Sequence, residues 1–207
     1  MNGEFLKVIT ERKSIRSFDS SQKIDRSEMK QMLQEAGRAP SALNLQPWRF
    51  LVIESDEAKK KLRPLFFNDP KLLDSCAAMV AVLGDLQASE YKDTIYDMAV
   101  SEGLMPEEVR SREVKLIASL YSSMPRDTRL TDVSFNSALA AMQLMLVARA
   151  HGYETCPLGG FDKDHFGEAF GFNKERYLSL VLIAIGKPAE KGFESIRLDV
   201  EQISKWV

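Results

Sequence analysis

The chain reads as an α+β protein, a central sheet flanked by helices, on three observations. Residues 48–54 alternate in polarity and are rich in strand formers, whereas 77–84 and 178–185 are continuous apolar runs of strand length. Around them lie stretches whose apolar residues recur at helical spacing. A length of 207 residues with 44% hydrophobic content suffices for one large core, so a single domain spanning residues 1–207 is expected.

Taken in order, Phe5, Val8 and Ile9 predict a short helix that leads into Arg12 and presents a basic cluster where it ends. Asp25 and Glu28 form an Asp-led variant of the capping box, followed by Met29, Met32, Leu33 and Ala36 on one face, and Pro40 limits that helix. In the strand 48–54, Trp48 and Phe50 are assigned to core packing and Arg49 to the outward alternation. Asp56 is expected to cap a helix carrying Ala58, Leu62, Leu65 and Phe66, and the run 77–84 suits a strand covered on both faces.

From residue 88 to 129 charged residues dominate and Pro106 and Pro125 punctuate, which predicts helices over 91–102 and 106–122 and makes this region the candidate lid. Residues 133–151 are apolar nearly all round, with Ala138, Ala140, Ala141 and Ala148 among Leu and Met. Such a helix must be buried on every side, at a subunit interface or in the centre of the core. Gly152 can end it, residues 156–161 run into an irregular Gly-Gly segment, Asp164 begins another helix, and 178–185 makes the last buried strand. The tail 193–207 carries Ile196, Leu198, Val200, Ile203 and Trp206, too many apolar residues for a free end.

Composition excludes several function classes. A net charge of −2 gives no electrostatic footprint for nucleic acid or an anionic membrane, and the Lys59 to Lys61 run reads as a solvated helix face. No leader pattern and no run of about 18 apolar residues occurs, so neither a signal peptide nor a membrane span is indicated and a cytoplasmic protein is expected. Cys76 and Cys156 should be reduced and packed, and His151 and His165 lack a second ligand at zinc spacing, so no metal is expected. Ser-His-Asp, Cys-His, paired-carboxylate and P-loop arrangements are all missing, as is G-x-G-x-x-G. The chain thus offers no nucleophile or general acid of its own, and the chemistry falls to a cofactor.

Two motifs indicate which cofactor. Arg12-Lys13-Ser14-Ile15-Arg16 places two guanidinium forks and a hydroxyl within five residues, a set suited to a phosphate or other oxyanion. Asn44 and Gln46 lie between Pro40 and Pro47, in a segment that begins with Ser41. Two planar amides held by a rigid loop can read a heterocycle edge that alternates N–H and C=O, as a flavin does.

With R-K-S-I-R followed by P-S-A-L-N-L-Q-P-W-R-F, then G-Y-E-T-C-P-L-G-G-F and I-G-K-P leading to Arg197, the chain resembles the FMN-dependent nitroreductase family over nearly its whole length. The resemblance implies a nitroreductase-like fold with a central mixed sheet, and a homodimer in which the C-terminal arm is exchanged and each FMN site lies at the subunit interface. It assigns Arg12 and Arg197 to the FMN phosphate, Ser14 to the phosphate or the nearby polar chain, Arg16 to the pyrimidine end, Asn44 to the region of the reactive nitrogen, and Gln46 to the dimethylbenzene or ribityl side. Lys13, Ser41 and Lys187 complete the polar set. Pro157, Leu158, Gly159 and Gly160 would bring main-chain N–H groups to the ring's N5 and O4; some relatives carry Glu where this chain has Gly159, so only the amide role is expected here. No catalytic side chain is assigned beyond Asn44 and the Gly159 backbone assisting the flavin. By the same resemblance NADH or NADPH passes hydride to N5 and leaves, and a small electron-poor acceptor, a nitroaromatic or quinone, then takes the electrons in a ping-pong cycle. A specialised reductase acting on enones, a dehalogenase, and a flavin-binding module without turnover are the alternatives.

Overall fold

The computed structural model describes residues 3–207, and its elements follow from local chemistry with a few departures from expectation. Helix α1 (Gly3–Glu11) is amphipathic but leaves Phe5, Leu6 and Ile9 exposed. Helix α2 (Arg26–Ala36) turns Met29, Met32 and Ala36 inward. Its expected capping box does not form: Asp25 sits at the N-cap without a side-chain bond to the helix, and the Glu28 carboxylate instead accepts from the Tyr153 hydroxyl at 2.7 Å. Strand β1 (Trp48–Ile53) leads to α3 (Asp56–Leu62), which is capped by Ser55 accepting from the Ala58 N–H; Asp56 lies one place inside, where its charge still favours the helix start. Leu65 and Phe66 fall beyond α3, in and after a single tight turn, and a short α4 (Pro70–Ser75) that the sequence did not announce is capped by Asp69.

Strand β2 (Ala78–Asp85) is buried along its whole length, as its apolar run requires. Helices α5 (Lys92–Ser101) and α6 (Glu107–Ser123) fall close to the predicted bounds of the lid pair. Helix α7 (Arg126–Ala150) starts earlier than its apolar run, with Pro125 at the N-cap, and Gly152 follows its end at φ +77°. Strand β3 (Glu154–Leu158), helix α8 (Lys163–Ala169), strand β4 (Tyr177–Gly186) and the one-turn α9 (Val200–Ile203) complete the chain; Asp162, rather than Asp164, caps α8.

The four strands lie in the order β1-β2-β4-β3 and pair antiparallel throughout. Parallel pairing, expected within a mixed sheet, is confined to the bridge between Ser14 and Thr155 on β3. Strand β3 takes in Cys156 to Leu158 of the segment read as running into irregular structure, while Gly159 and Gly160 are irregular as expected. Proline is tolerated there because β3 is an edge strand of the four.

Side chains alternate across β2 into two cores. Val80 and Val82 meet Met29, Met32, Ala140 and Leu144 from α2 and α7, while Met79, Ala81 and Leu83 meet Leu62, Leu73 and Phe166 on the other face. A Cβ on Gly84 would collide with Val133, so glycine there lets α7 approach the sheet. Helix α7 is long and apolar enough to span a membrane, yet its inward face is core, and it is not buried on every side as expected. Phe135 (65% exposed), Ala138 and Met142 remain on the surface.

The tail is likewise uncovered, with Ile196 at 95% and Trp206 at 88% exposure. Two basic residues also depart from the outward reading. Lys59 is buried and donates to the Cys76 carbonyl, and Arg49 is held against Asp85 rather than projecting into solvent.

Candidate functional site

The basic cluster is built where α1 ends and the chain passes the edge of the sheet. Ile15 N–H donates to the Thr155 carbonyl at 3.0 Å, which pins residues 12–16 alongside β3, and buried Ile15 anchors the strip in the core. On the other side runs the segment after β4: Asp19 N–H donates to the Lys187 carbonyl (2.9 Å) and Ala189 N–H to the Ser17 carbonyl (3.0 Å). Carboxylates of this segment meet the cluster. Glu190 accepts from the Arg16 backbone N–H at 2.7 Å, and Glu194 pairs with Lys13.

A cleft of about 520 Å³ opens here, lined among others by Lys13, Ile15, Arg149, Glu154 and Glu190. Within this region the Arg12 Nη1 is buried and has no acceptor among the described residues, an orphaned guanidinium donor of the kind an oxyanion completes. Glu154 is paired through one oxygen with Arg149, while its other oxygen is buried without a partner. Burial pushes the Glu154 carboxyl above the usual range against the pull of Arg149, Arg12 and Lys13.

Lys187 donates to the Gly152 carbonyl at 2.7 Å and lies over the Tyr153 ring, so in this chain its ammonium braces the turn after α7. Arg197 is exposed on the tail and donates only to the neighbouring Ile196 carbonyl among the described residues.

The loop that carries Ser41, Asn44 and Gln46 has an unusual backbone. Leu43, Asn44 and Gln46 adopt φ of 53°, 54° and 47°, left-handed values that cost non-glycine residues about 1–2 kcal/mol each. The surroundings hold it. Ser41 Oγ accepts from the Gln46 N–H, Gln46 Nε2 donates to the Asn44 carbonyl and side chain, and Arg49 Nη1 donates to the Gln46 carbonyl. Asp85, fully buried, receives Arg49 and two nitrogens of Arg176 while its own N–H donates to the Pro47 carbonyl at 2.7 Å. Asn44 is exposed above this base, so a planar amide is presented at a fixed position.

Pro157 to Gly160 leave β3 beside the basic strip. Gly159 is exposed, and a Cβ built there would meet nothing within 4 Å; open space in front of the backbone suits a flat ligand. Gly160 is closer packed, its carbonyl accepting from Asn68. The loop 41–46 precedes β1, whereas the basic strip and Gly159 lie at β3. The two halves of the predicted site therefore adjoin opposite edge strands of the four-stranded sheet.

Sequence reasoning missed Arg149 and Glu154 beside the basic cluster and Asp85, Arg49 and Asn136 beneath the loop. An Asn among the apolar residues of 133–148 was a signal that its amide is used.

Among known proteins, the Nitroreductase family profile matches residues 9–187. The chain belongs to the Nitroreductase family. Bacillus subtilis YdgI, named provisionally as an NAD(P)H nitroreductase, is 41% identical over 203 residues, covering 98% of this chain and 97% of that protein. A CLA biosynthesis enone reductase of Lactiplantibacillus plantarum is 34% identical, covering 97% and 93% respectively. A protein of Exiguobacterium sibiricum, described provisionally as a nitroreductase and crystallised with FMN, superposes with a TM-score of 0.96 at 45% identity, covering 98% and 97% of the two chains. As a nitroreductase-family fold, the sheet and its flanking helices thus have close counterparts, and the expected family is the one found.

Proposed function

We propose that the chain is an FMN-dependent oxidoreductase that takes electrons from NADH or NADPH and delivers them to a small electron-poor acceptor. The observation that carries this reading is Arg12 Nη1, buried and without an acceptor beside a cleft, in a family with FMN-bound relatives. Bound FMN would supply hydride acceptance at N5 and return of the electrons to the acceptor in a separate step.

The chain's residues bind and orient. Arg12, with Ser14 and Lys13, would hold the phosphate; Arg16 the pyrimidine end; Asn44 and Gln46 one edge of the ring; and the backbone from Pro157 to Gly160 the other. Arg197, and Lys187 less directly, would add to the phosphate set. Because the two halves lie on opposite edges of the sheet, a complete site is assembled from two chains. The uncovered faces of α7 and the arm 193–207 support such a homodimer. Residues 88–129 act as the lid over the acceptor. Nitroaromatics and quinones fit this chemistry, and the enone reductase among the relatives supports an activated alkene as the second acceptor class.

Comparing FMN with riboflavin tests the site. FMN should bind at least tenfold more tightly, and Arg12→Ala should remove most of that difference. Equal affinities in the wild-type protein would overturn the phosphate assignment.

A further inference from the structure

Asn136 lies in the middle of α7, only 3% exposed, on a helix otherwise given to core packing. All of its amide is used. Nδ2 donates to the Asp132 carbonyl (2.7 Å) and to Asp132 Oδ1 (3.0 Å), while Oδ1 accepts from the backbone N–H of Ala42 at 2.8 Å. The orientation is dictated by chemistry: a backbone N–H needs an acceptor and a carboxylate needs a donor. Asp132 is in turn bonded through Oδ2 to the Tyr121 hydroxyl of α6, at 3.0 Å.

A second tie runs beside it. Tyr96 of α5 donates its hydroxyl to the Leu43 carbonyl at 3.2 Å, and Leu45 packs with Tyr96, Ile117 and Tyr121 in a small separate core. Both lid helices are therefore fastened to the segment 42–46, at the residues where the backbone turns left-handed. Such backbone persists only where its surroundings over-determine it.

We propose that Asn136 is a positioning residue for the reaction: by holding Ala42 it sets the aim of Asn44, and through Asp132 and Tyr121 it makes that aim depend on where the lid sits. The consequence for catalysis rests on the flavin reading above; the anchoring itself does not. Movement of the lid on acceptor binding then reaches the ring-facing amide through a continuous chain of hydrogen bonds.

A swap tests it. Asn136→Asp keeps an acceptor for Ala42 but sets two carboxylates against each other; adding Asp132→Asn restores the donor–acceptor pair between the two side chains with the charge conserved, leaving only the bond to the Asp132 carbonyl unmade. In the flavin-free protein, hydrogen exchange at residues 42–46 should quicken in Asn136→Asp and return toward the wild-type rate in the double variant. In the FMN-loaded protein, reduction by NAD(P)H should fall on the order of tenfold to a hundredfold in the single variant, with FMN affinity within a few-fold of wild type, and should recover in the double. Tyr121→Phe, which leaves Asn136 intact, should act in the same direction but less, and supplies the test if Asn136→Asp does not fold. Loop exchange unchanged in these variants, or reduction rates that follow thermal stability without rescue by the swap, overturns the inference. Wild-type protein that takes up no FMN overturns the functional reading alone, since the exchange measurement still decides the anchoring.

Discussion

Arg12 holds a buried guanidinium nitrogen with no acceptor among the described residues, a condition that costs about 1–3 kcal/mol until an anion meets it. Replacing Arg12 by Ala should thus weaken FMN retention by about 1.5–3 kcal/mol, tenfold to more than a hundredfold in affinity by fluorescence titration, with little loss of fold stability. Glu154 behaves in the opposite sense. Its carboxyl is raised by burial, so the folded state binds a proton more readily than the unfolded one; that contribution is present below the ordinary Glu range and lost as pH rises through the raised value. Glu154→Gln should accordingly lose less stability than wild type as pH climbs toward neutrality, as urea midpoints across that range will show. The thiols of Cys76, pushed up to about 11 by burial, and of Cys156, also raised by burial, should resist alkylation in the native protein and react on unfolding. Their packed, reduced state was legible from the sequence, because two cysteines without motif spacing have no other common use. The partner of each side chain was not: nothing local to Glu28 shows that Tyr153 will claim it, since the contact crosses the fold.

Elements dominated by periodicity were readable, and those decided by pairing were not. The strands at 77–84 and 178–185 and helices α5 and α6 follow their apolar patterns closely because each pattern reports burial of that element alone. Strand β3 was hidden by Pro157 and the glycines after it; only pairing with β4 makes it a strand. Arg49 shows the same limit, since alternation places it outward but Asp85 draws it back. Asp85 joins β2, the start of β1 and the residues before β4. Asp85→Ala would leave Arg49 and Arg176 without their carboxylate and should destabilise the fold by about 3–5 kcal/mol in urea unfolding, with Asp85→Asn intermediate. Exchanging residues 88–129 for those of a relative should preserve FMN binding and alter relative rates across acceptors, because none of the proposed flavin contacts lies there; loss of FMN with the fold intact would contradict the lid assignment.

The whole molecule presents more apolar surface than one chain explains. Phe135 and Met142 on α7 and the arm from Phe193 to Val207 are exposed together, and the proposed flavin contacts fall on opposite sheet edges. Ile203→Asp leaves every proposed FMN contact in place but puts a charge in the arm; sedimentation should then show monomer or aggregate with weakened flavin, whereas a wild-type monomer that binds FMN stoichiometrically would contradict the shared site. The motifs made the cofactor legible because phosphate and ring each demand particular donors, while the proposed dimer rests on the resemblance and on surplus hydrophobicity in 133–151 and 193–207. Anaerobic reduction is the decisive measurement. FMN-loaded protein mixed with NADH or NADPH should lose its visible flavin absorbance in a single binding-saturable phase, and a nitroaromatic or quinone added after removal of the nucleotide should restore it. Flavin that binds stoichiometrically but is bleached by neither nucleotide would contradict the account.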